Sequence, residues 1–211
     1  MKKHIVCLGD SNTHGFNGDE IRRFDESERW TCLLQENLGS EYLVIEEGLG
    51  SRTTAFDDPL TEGVSALSVI TPILMSHEPV DLLIIMLGTN DTKSRFSLIP
   101  NEIALGLERL IKKAEFTECW KTEPKILVLV PKNIDSEYKN SWIYRDMGPE
   151  CDEKSKELAK YFKEVAYRNN CFYLDVNDYD ISNNHVDCVH LDLKGHKELA
   201  KVLANKIKEI L

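Results

Sequence analysis

The stretch "LLIIMLGTND", Leu82 to Asp91, decides the fold. It is apolar at every position from Leu82 to Leu87, then breaks at Gly88 into Thr89, Asn90 and Asp91. A strand with one wet face alternates between apolar and polar residues. A run that never alternates is buried on both faces, as in a parallel sheet covered by helices on either side. "IVCLG" from Ile5 and "KILVLVP" from Lys125 read the same way. "YLVIEEG" from Tyr42 and "CFYLDV" from Cys171 bring the strand candidates to five.

Segments with helical spacing separate these runs. "ERWTCLLQENLG" starts at Glu28 and has Gly39 as its stop signal. "SALSVITPILMSH" starts at Ser65 and contains Pro72, which predicts a break or kink. "PNEIALGLERLIKKAEF", from Pro100 to Phe116, carries an apolar face of Ile103, Leu107, Leu110 and Ile111. "DEKSKELAKYFKEVAYRN" starts at Asp152, and "LKGHKELAKVLANKIKEIL" starts at Leu193 with Asp192 as its N-cap. Strand followed by helix, five times over, predicts right-handed crossovers and a three-layer α/β/α sandwich on a five-stranded parallel sheet.

In such a sheet ligands bind beyond the carboxyl ends of the strands. The polar clusters stand there. "GDSNTHG" follows the first strand, "GLGSRTTAFDDP" the second and "GTNDTKSRF" the third. The long segment from Lys132 to Glu150 follows the fourth, and "NDYDISNNHVDCVHLD" the fifth.

The whole chain narrows the classes of function. Its 211 residues, 42% hydrophobic and 29% charged, suit a single domain spanning 1–211. A formal net charge of −10 offers no electrostatic footprint for nucleic acid and is repelled by anionic membranes. The opening "MKKH" is followed by only "IVCL" before Gly9, too short a core for a signal peptide, and no stretch approaches a transmembrane length. A cytoplasmic protein is therefore expected. The six cysteines contain no C-x-x-C pair, which argues against a structural zinc site and a disulfide framework.

A serine hydroxyl becomes a nucleophile when an imidazole takes its proton and a carboxylate orients that imidazole. Ser11, in the turn after the first strand, is the candidate nucleophile. There is no G-x-S-x-G nucleophile elbow. Of the six histidines, His4 starts a strand, His77 ends a helix, His196 sits within one, and His14 is too near Ser11 along the turn. His185 and His190 remain. Asp187 stands three residues before His190, a spacing that lets the carboxylate meet one ring nitrogen while the other faces Ser11. Taken alone, D-x-x-H fits a polar loop and a helix cap equally well. The third requirement is a set of donors for the charge on a tetrahedral intermediate. The backbone N–H groups of Ser11 and Ser51 and the side-chain amide of Asn90 form the natural trio. Gly48, Gly50 and Gly88 would allow positive φ in the turns that present them.

"GDSNTHG", "EEGLGSRTTAFDDP", "IIMLGTND" and "DCVHLDLKGH" occur in the order and at the spacings of the SGNH (GDSL-type) hydrolases, and together they resemble that superfamily's arylesterase/acyltransferase branch. The resemblance runs over nearly the whole chain and implies the flavodoxin-like strand order 2-1-3-4-5. It implies Ser11, Asp187 and His190 as the catalytic triad, with Ser11, Ser51 and Asn90 as the oxyanion hole. It also implies a serine esterase for short-chain acyl esters, working through an acyl-enzyme with no cofactor or metal, and leaves acyl transfer and homo-oligomer formation open. Two departures stand out. Ser51 occupies a position that is glycine in much of the superfamily, and His14 stands where close relatives often carry a bulky aromatic residue.

Asn12, His14, Phe16, Gly50 and Trp142 are the candidate substrate-binding residues. Arg52 is expected to pair with Asp57 and Asp58, Asp10 and Asp91 to brace their turns, Trp30 to lie in the core, and Lys93 and Arg95 to be solvated. Deacetylation of a carbohydrate is the alternative activity. A cation site on His185, Asp187, His190 and Asp192 and a flavodoxin-like binding module are the alternatives of other kinds.

Overall fold

The computed structural model describes residues 1–211. Five strands, β1 (Lys3–Gly9), β2 (Tyr42–Gly48), β3 (Leu82–Met86), β4 (Ile126–Val130) and β5 (Phe172–Asp175), form one parallel sheet. Its order is β2-β1-β3-β4-β5, the order implied by the resemblance. Alternate residues of the central strands enter two different cores, which is why their sequence does not alternate. Ile5, Cys7, Leu82, Ile84, Met86, Leu127 and Leu129 pack on one side with Trp30, Leu34, Leu199, Leu203 and Ile207. Val6, Leu8, Leu83, Ile85, Val128 and Val130 pack on the other with Ile70, Leu74, Leu107, Leu110, Leu158 and Phe162. Burial of each such aliphatic side chain contributes roughly 1.5–3 kcal/mol.

The helices are α1 (Ser11–His14), α2 (Trp30–Leu38), α3 (Ala66–Ser76), α4 (Pro100–Glu115), α5 (Tyr144–Met147), α6 (Cys151–Arg168) and α7 (Leu193–Ile210). α2 and α7 cover the first face of the sheet and α3, α4 and α6 the second, completing three layers. The ends behave as the sequence predicts at two helices. Gly39 terminates α2 with φ 77°, and Asp192 caps α7 by accepting the N–H of Gly195 at 2.6 Å. α4 starts at Pro100, and the Glu102 carboxylate accepts the Ile99 N–H at 3.0 Å. The expected break at Pro72 does not occur, since α3 runs through it. The hydrogen bond that proline forfeits would join residues 72 and 68. Both are exposed, so the Ser68 carbonyl can turn to water.

The register brings the carboxyl ends of the strands to one edge. Gly9 pairs with both Gly48 and Met86, Met86 with Leu129, and Val130 with Asp175. The five polar loops therefore emerge side by side. A short antiparallel ribbon, Phe16–Asn17 against Arg22–Arg23, extends from the first of them. No helix is long and apolar enough to cross a membrane.

Candidate active site

Ser11 opens α1, directly after β1. The turn is set by Asp10, whose Oδ1 accepts the N–H of Asn12 at 2.9 Å, and it ends at Gly15, with φ 82°. Asn12 faces inward. Its Oδ1 accepts the N–H of Leu191 at 2.8 Å, its amide reaches the Val189 carbonyl at 3.5 Å, and its own carbonyl accepts the indole N–H of Trp30 at 3.1 Å. It thereby ties the serine turn to the loop that follows β5.

That loop supplies the base. His190 Nε2 lies 2.8 Å from Ser11 Oγ, and His190 Nδ1 lies 2.8 Å from Asp187 Oδ2. The other oxygen of Asp187 accepts three N–H groups at 2.9 Å each: the backbone N–H of Val189, that of His190, and the side-chain amide of Asn184. Asn184 Oδ1 in turn accepts the N–H of Asp187 at 2.8 Å. Burial pushes the Asp187 carboxyl up, but the hydrogen bond and charge of His190, with the two backbone N–H groups, outweigh it and hold the group below the usual carboxylate range. It stays ionised and leaves Oδ2 for the imidazole. Asp187 is fully buried and His190 nearly so. The Phe16 ring sits 4.7 Å from the imidazole, centroid to centroid, and shields it.

Ser11 and His190 open into a cavity of about 220 Å³. Part of its lining is polar: Ser51, Thr89, Asn90 and Lys93, from the loops after β2 and β3. Another part is largely apolar: Phe16, Trp142, Ile143, Met147 and Val189. Asn90 donates one amide hydrogen to the Arg52 carbonyl at 3.2 Å, which fixes its plane, and it has a second to offer. The backbone N–H groups of Ser11 and Ser51 meet no acceptor within the chain. Larger grooves lie elsewhere, among them one of about 950 Å³ between α3 and α4, whose lining has no histidine to activate a nucleophile.

The structure thus gathers Ser11, Asp187, His190, Asn90, Ser51, Gly50, Phe16 and Trp142 at one site. It leaves two of the expected substrate-binding residues out of the cavity wall. Asn12 is buried beneath it as the brace just described. His14 projects toward the β2 side, near Arg23, Arg29 and Glu46, where burial and the charge of Arg23 push its imidazole pKa down. The glycine expectations divide as well. Gly88 has φ 121°, but Gly48 and Gly50 are not left-handed, and Ser51 takes that role with φ 64°. Gly48 is needed for a different reason: a Cβ there would lie 2.1 Å from the backbone nitrogen of His14.

The flanking charges also differ from expectation. Arg52 donates to the carbonyls of Gly9 and Glu47 rather than to Asp57 or Asp58. Asp58 lies 3.5 Å from Arg95. Lys93 is not solvated: its side chain is 2% exposed and its Nζ sits 2.7 Å from Asp146 Oδ2. Arg95 also pairs with Asp146. Asp91 braces its loop as expected, accepting the Thr54 N–H at 2.9 Å and the Thr54 hydroxyl at 2.6 Å. The alternative cation ligands do not converge, because Asp187 serves His190 while Asp192 caps α7 and accepts the Ser182 hydroxyl.

Sequence reasoning misses Asn184, Gly18, Lys93 and Asp146. For Asn184 a signal existed, since it precedes Asp187 by the same three residues that separate Asp187 from His190. Gly18 carries no such mark, yet a Cβ there would lie 1.7 Å from Asp187 Oδ2.

Comparison with known proteins points the same way. The sequence pattern described as the GDSL-like lipase/acylhydrolase family matches residues 7–198. The structure is similar to that of an M. smegmatis aryl esterase, with TM-score 0.89 and 32% identity, covering 99% of this chain and 100% of that one. It is similar as well to a carbohydrate acetylesterase from Sinorhizobium meliloti, with TM-score 0.88, 32% identity and full coverage of both chains. Among curated proteins, an acetylxylan esterase from Xylanibacter ruminicola is 26% identical over 222 residues, covering 97% of this chain. The chain spans only 43% of that protein's length.

Proposed function

The chain belongs to the GDSL-like lipase/acylhydrolase family, and on that premise we propose that it is a carboxylic ester hydrolase for small-molecule esters of short acyl chains. The observation that carries this reading is the unbroken relay from Asp187 Oδ2 through His190 to Ser11 Oγ, with both links 2.8 Å, opening into a cavity of about 220 Å³.

Ser11 Oγ attacks the ester carbonyl while His190 Nε2 takes its proton. Asp187 holds the Nδ1–H tautomer and stabilises the imidazolium. The oxyanion settles among the N–H groups of Ser11 and Ser51 and the free amide hydrogen of Asn90. His190 then returns the proton to the leaving alcohol, and the acyl group stays on Ser11. Water, deprotonated by the same imidazole, attacks the acyl-enzyme and releases the acid. The small cavity supports an acetyl-sized acyl group. The net charge of −10 supports a neutral ester rather than a polyanion.

A second reading, deacetylation of a carbohydrate, is supported by the similarity to the Sinorhizobium carbohydrate acetylesterase and by the polar wall of the cavity. Labelling by a fluorophosphonate tests the shared mechanism. Labelling that is insensitive to chelator and lost in Ser11→Ala is expected. Chelator-sensitive hydrolysis without labelling would overturn it. Comparing kcat/KM for p-nitrophenyl acetate through octanoate and for acetylated xylose then separates the two readings.

A further inference from the structure

The most unusual polar group in the cavity wall is Lys93. A lysine side chain that is 2% exposed has given up nearly all its hydration. Its ammonium carries three donors, and Asp146 Oδ2 is the one acceptor within reach in the chain. Lys93 and Asp146 both line the cavity, so the ion pair is part of its wall. Asp146 is itself shared, since Arg95 takes its other carboxylate oxygen and its carbonyl. Two donors of a buried ammonium are therefore left beside the place where a substrate must sit.

The four groups Asp58, Arg95, Asp146 and Lys93 sum to zero charge, so the cluster gains little from a substrate anion. An uncharged oxygen, by contrast, meets donors that face the cavity and have few other acceptors in the chain. Phe16, Trp142, Ile143 and Met147, which line the same cavity, take the apolar part of the same molecule. We infer that Lys93 is a specificity-determining residue whose ammonium donates to a neutral oxygen of the substrate, a hydroxyl close to the ester, and so selects acetates of polyols over acetates of plain alkyl or aryl alcohols. This rests on the ester-hydrolase reading and narrows its substrate class.

The test compares wild type and Lys93→Met on glycerol monoacetate and phenyl acetate. A site that hydrogen-bonds a substrate hydroxyl discriminates strongly through it, so the ratio of kcat/KM between the two should fall at least about tenfold in the variant, whatever the loss on phenyl acetate alone. Lys93→Gln keeps N–H donors and should recover part of that ratio. A ratio unmoved in Lys93→Met overturns the inference, as does Lys93→Gln behaving like Lys93→Met. If the methionine variant does not fold, the wild type carries the test on the acetates of 1-propanol, 1,2-propanediol and glycerol. There kcat/KM should rise with hydroxyl number, and a flat or falling series overturns the inference. Turnover of these acetates with no hydroxyl preference removes this inference alone, whereas no turnover of any acetate removes the ester-hydrolase reading with it.

Discussion

The two sides of the cavity are built by different means. On one side, Ser11, Asp187 and His190 come from two loops, each stiffened by hydrogen bonds between near neighbours and joined to the other by the Ser11–His190 bond and by Asn12, which ties to Val189 and Leu191. On the other, Lys93, Trp142, Ile143, Asp146 and Met147 meet only because the loops after β3 and β4 emerge side by side. The first side is a short-range device that any chain with the same motifs carries. The second is a long-range one, and it holds Lys93, the residue proposed to choose the substrate.

The comparison breaks most sharply at Ser11. If the triad side alone does the chemistry, Ser11→Ala and His190→Ala should each lower kcat by about 10⁴-fold or more, with KM far less affected. Single-turnover kinetics on p-nitrophenyl acetate checks this. A variant within tenfold of wild type would move the chemistry elsewhere. Asn90 sharpens the boundary, since it lies on the pocket side yet is proposed to serve the reacting atoms. Asn90→Ala should cost roughly 10²–10³ in kcat if its free amide hydrogen meets the oxyanion. Full turnover in that variant would leave the role to the backbone N–H groups of Ser11 and Ser51.

The same division explains what the sequence made legible. Continuous apolar runs announced the parallel sheet because both faces of β1, β3 and β4 are buried. "GDSNTHG" and "DCVH" pointed to Ser11, Asp187 and His190 through their resemblance to a family's motifs, and the structure brings the three within hydrogen-bond reach. Lys93 was misread, because composition treats a lysine in a polar loop as solvated. Its burial depends on Asp146, fifty-three residues away across the sheet edge. His14 was misplaced for a related reason: within the one-turn helix α1, Ser11 faces the cavity while His14 is directed toward Glu46 and Arg23. The need for glycine at 48 likewise depends on a backbone contact with His14 that no local pattern encodes.

Gly18 tests how rigid the triad side is. It has an ordinary φ, and its role is space, with its backbone pressed against the Asp187 carboxylate. Gly18→Ala must displace Oδ2, and a misplacement of about 1 Å in a catalytic array costs on the order of 10²-fold. The loss should fall on kcat, because Gly18 does not line the cavity. A loss confined to KM would mean that the ribbon acts on substrate instead.

The smallest effect concerns Asp91, under the pocket side. Burial pushes its carboxyl up to about 6, against the hydrogen bonds from Thr54, and the nearby Asp10 adds to the rise. The folded state thus prefers the protonated form more than the unfolded chain does. Its contribution to stability is complete below the ordinary value near 3.8 and is lost as pH rises through about 6. A rise of about two units corresponds to on the order of 2–3 kcal/mol at ~1.4 kcal/mol per unit. Asp91→Asn titrates in neither state and can still accept the Thr54 N–H. Denaturant unfolding at pH 4, 5, 6 and 7 should therefore show the variant gaining on wild type by about that amount across the window, nearly all of it by pH 7. The triad side should show no such trend: burial of Asp187 is outweighed by its partners, so its contribution persists above the ordinary carboxylate value and fades only as pH falls below it. Parallel curves for Asp91→Asn and wild type would mean that Asp91 is ionised in the folded protein throughout. The loop carrying Asn90 and Lys93 would then be held by a buried charge even at pH 4 and 5, rather than by a protonated carboxyl there.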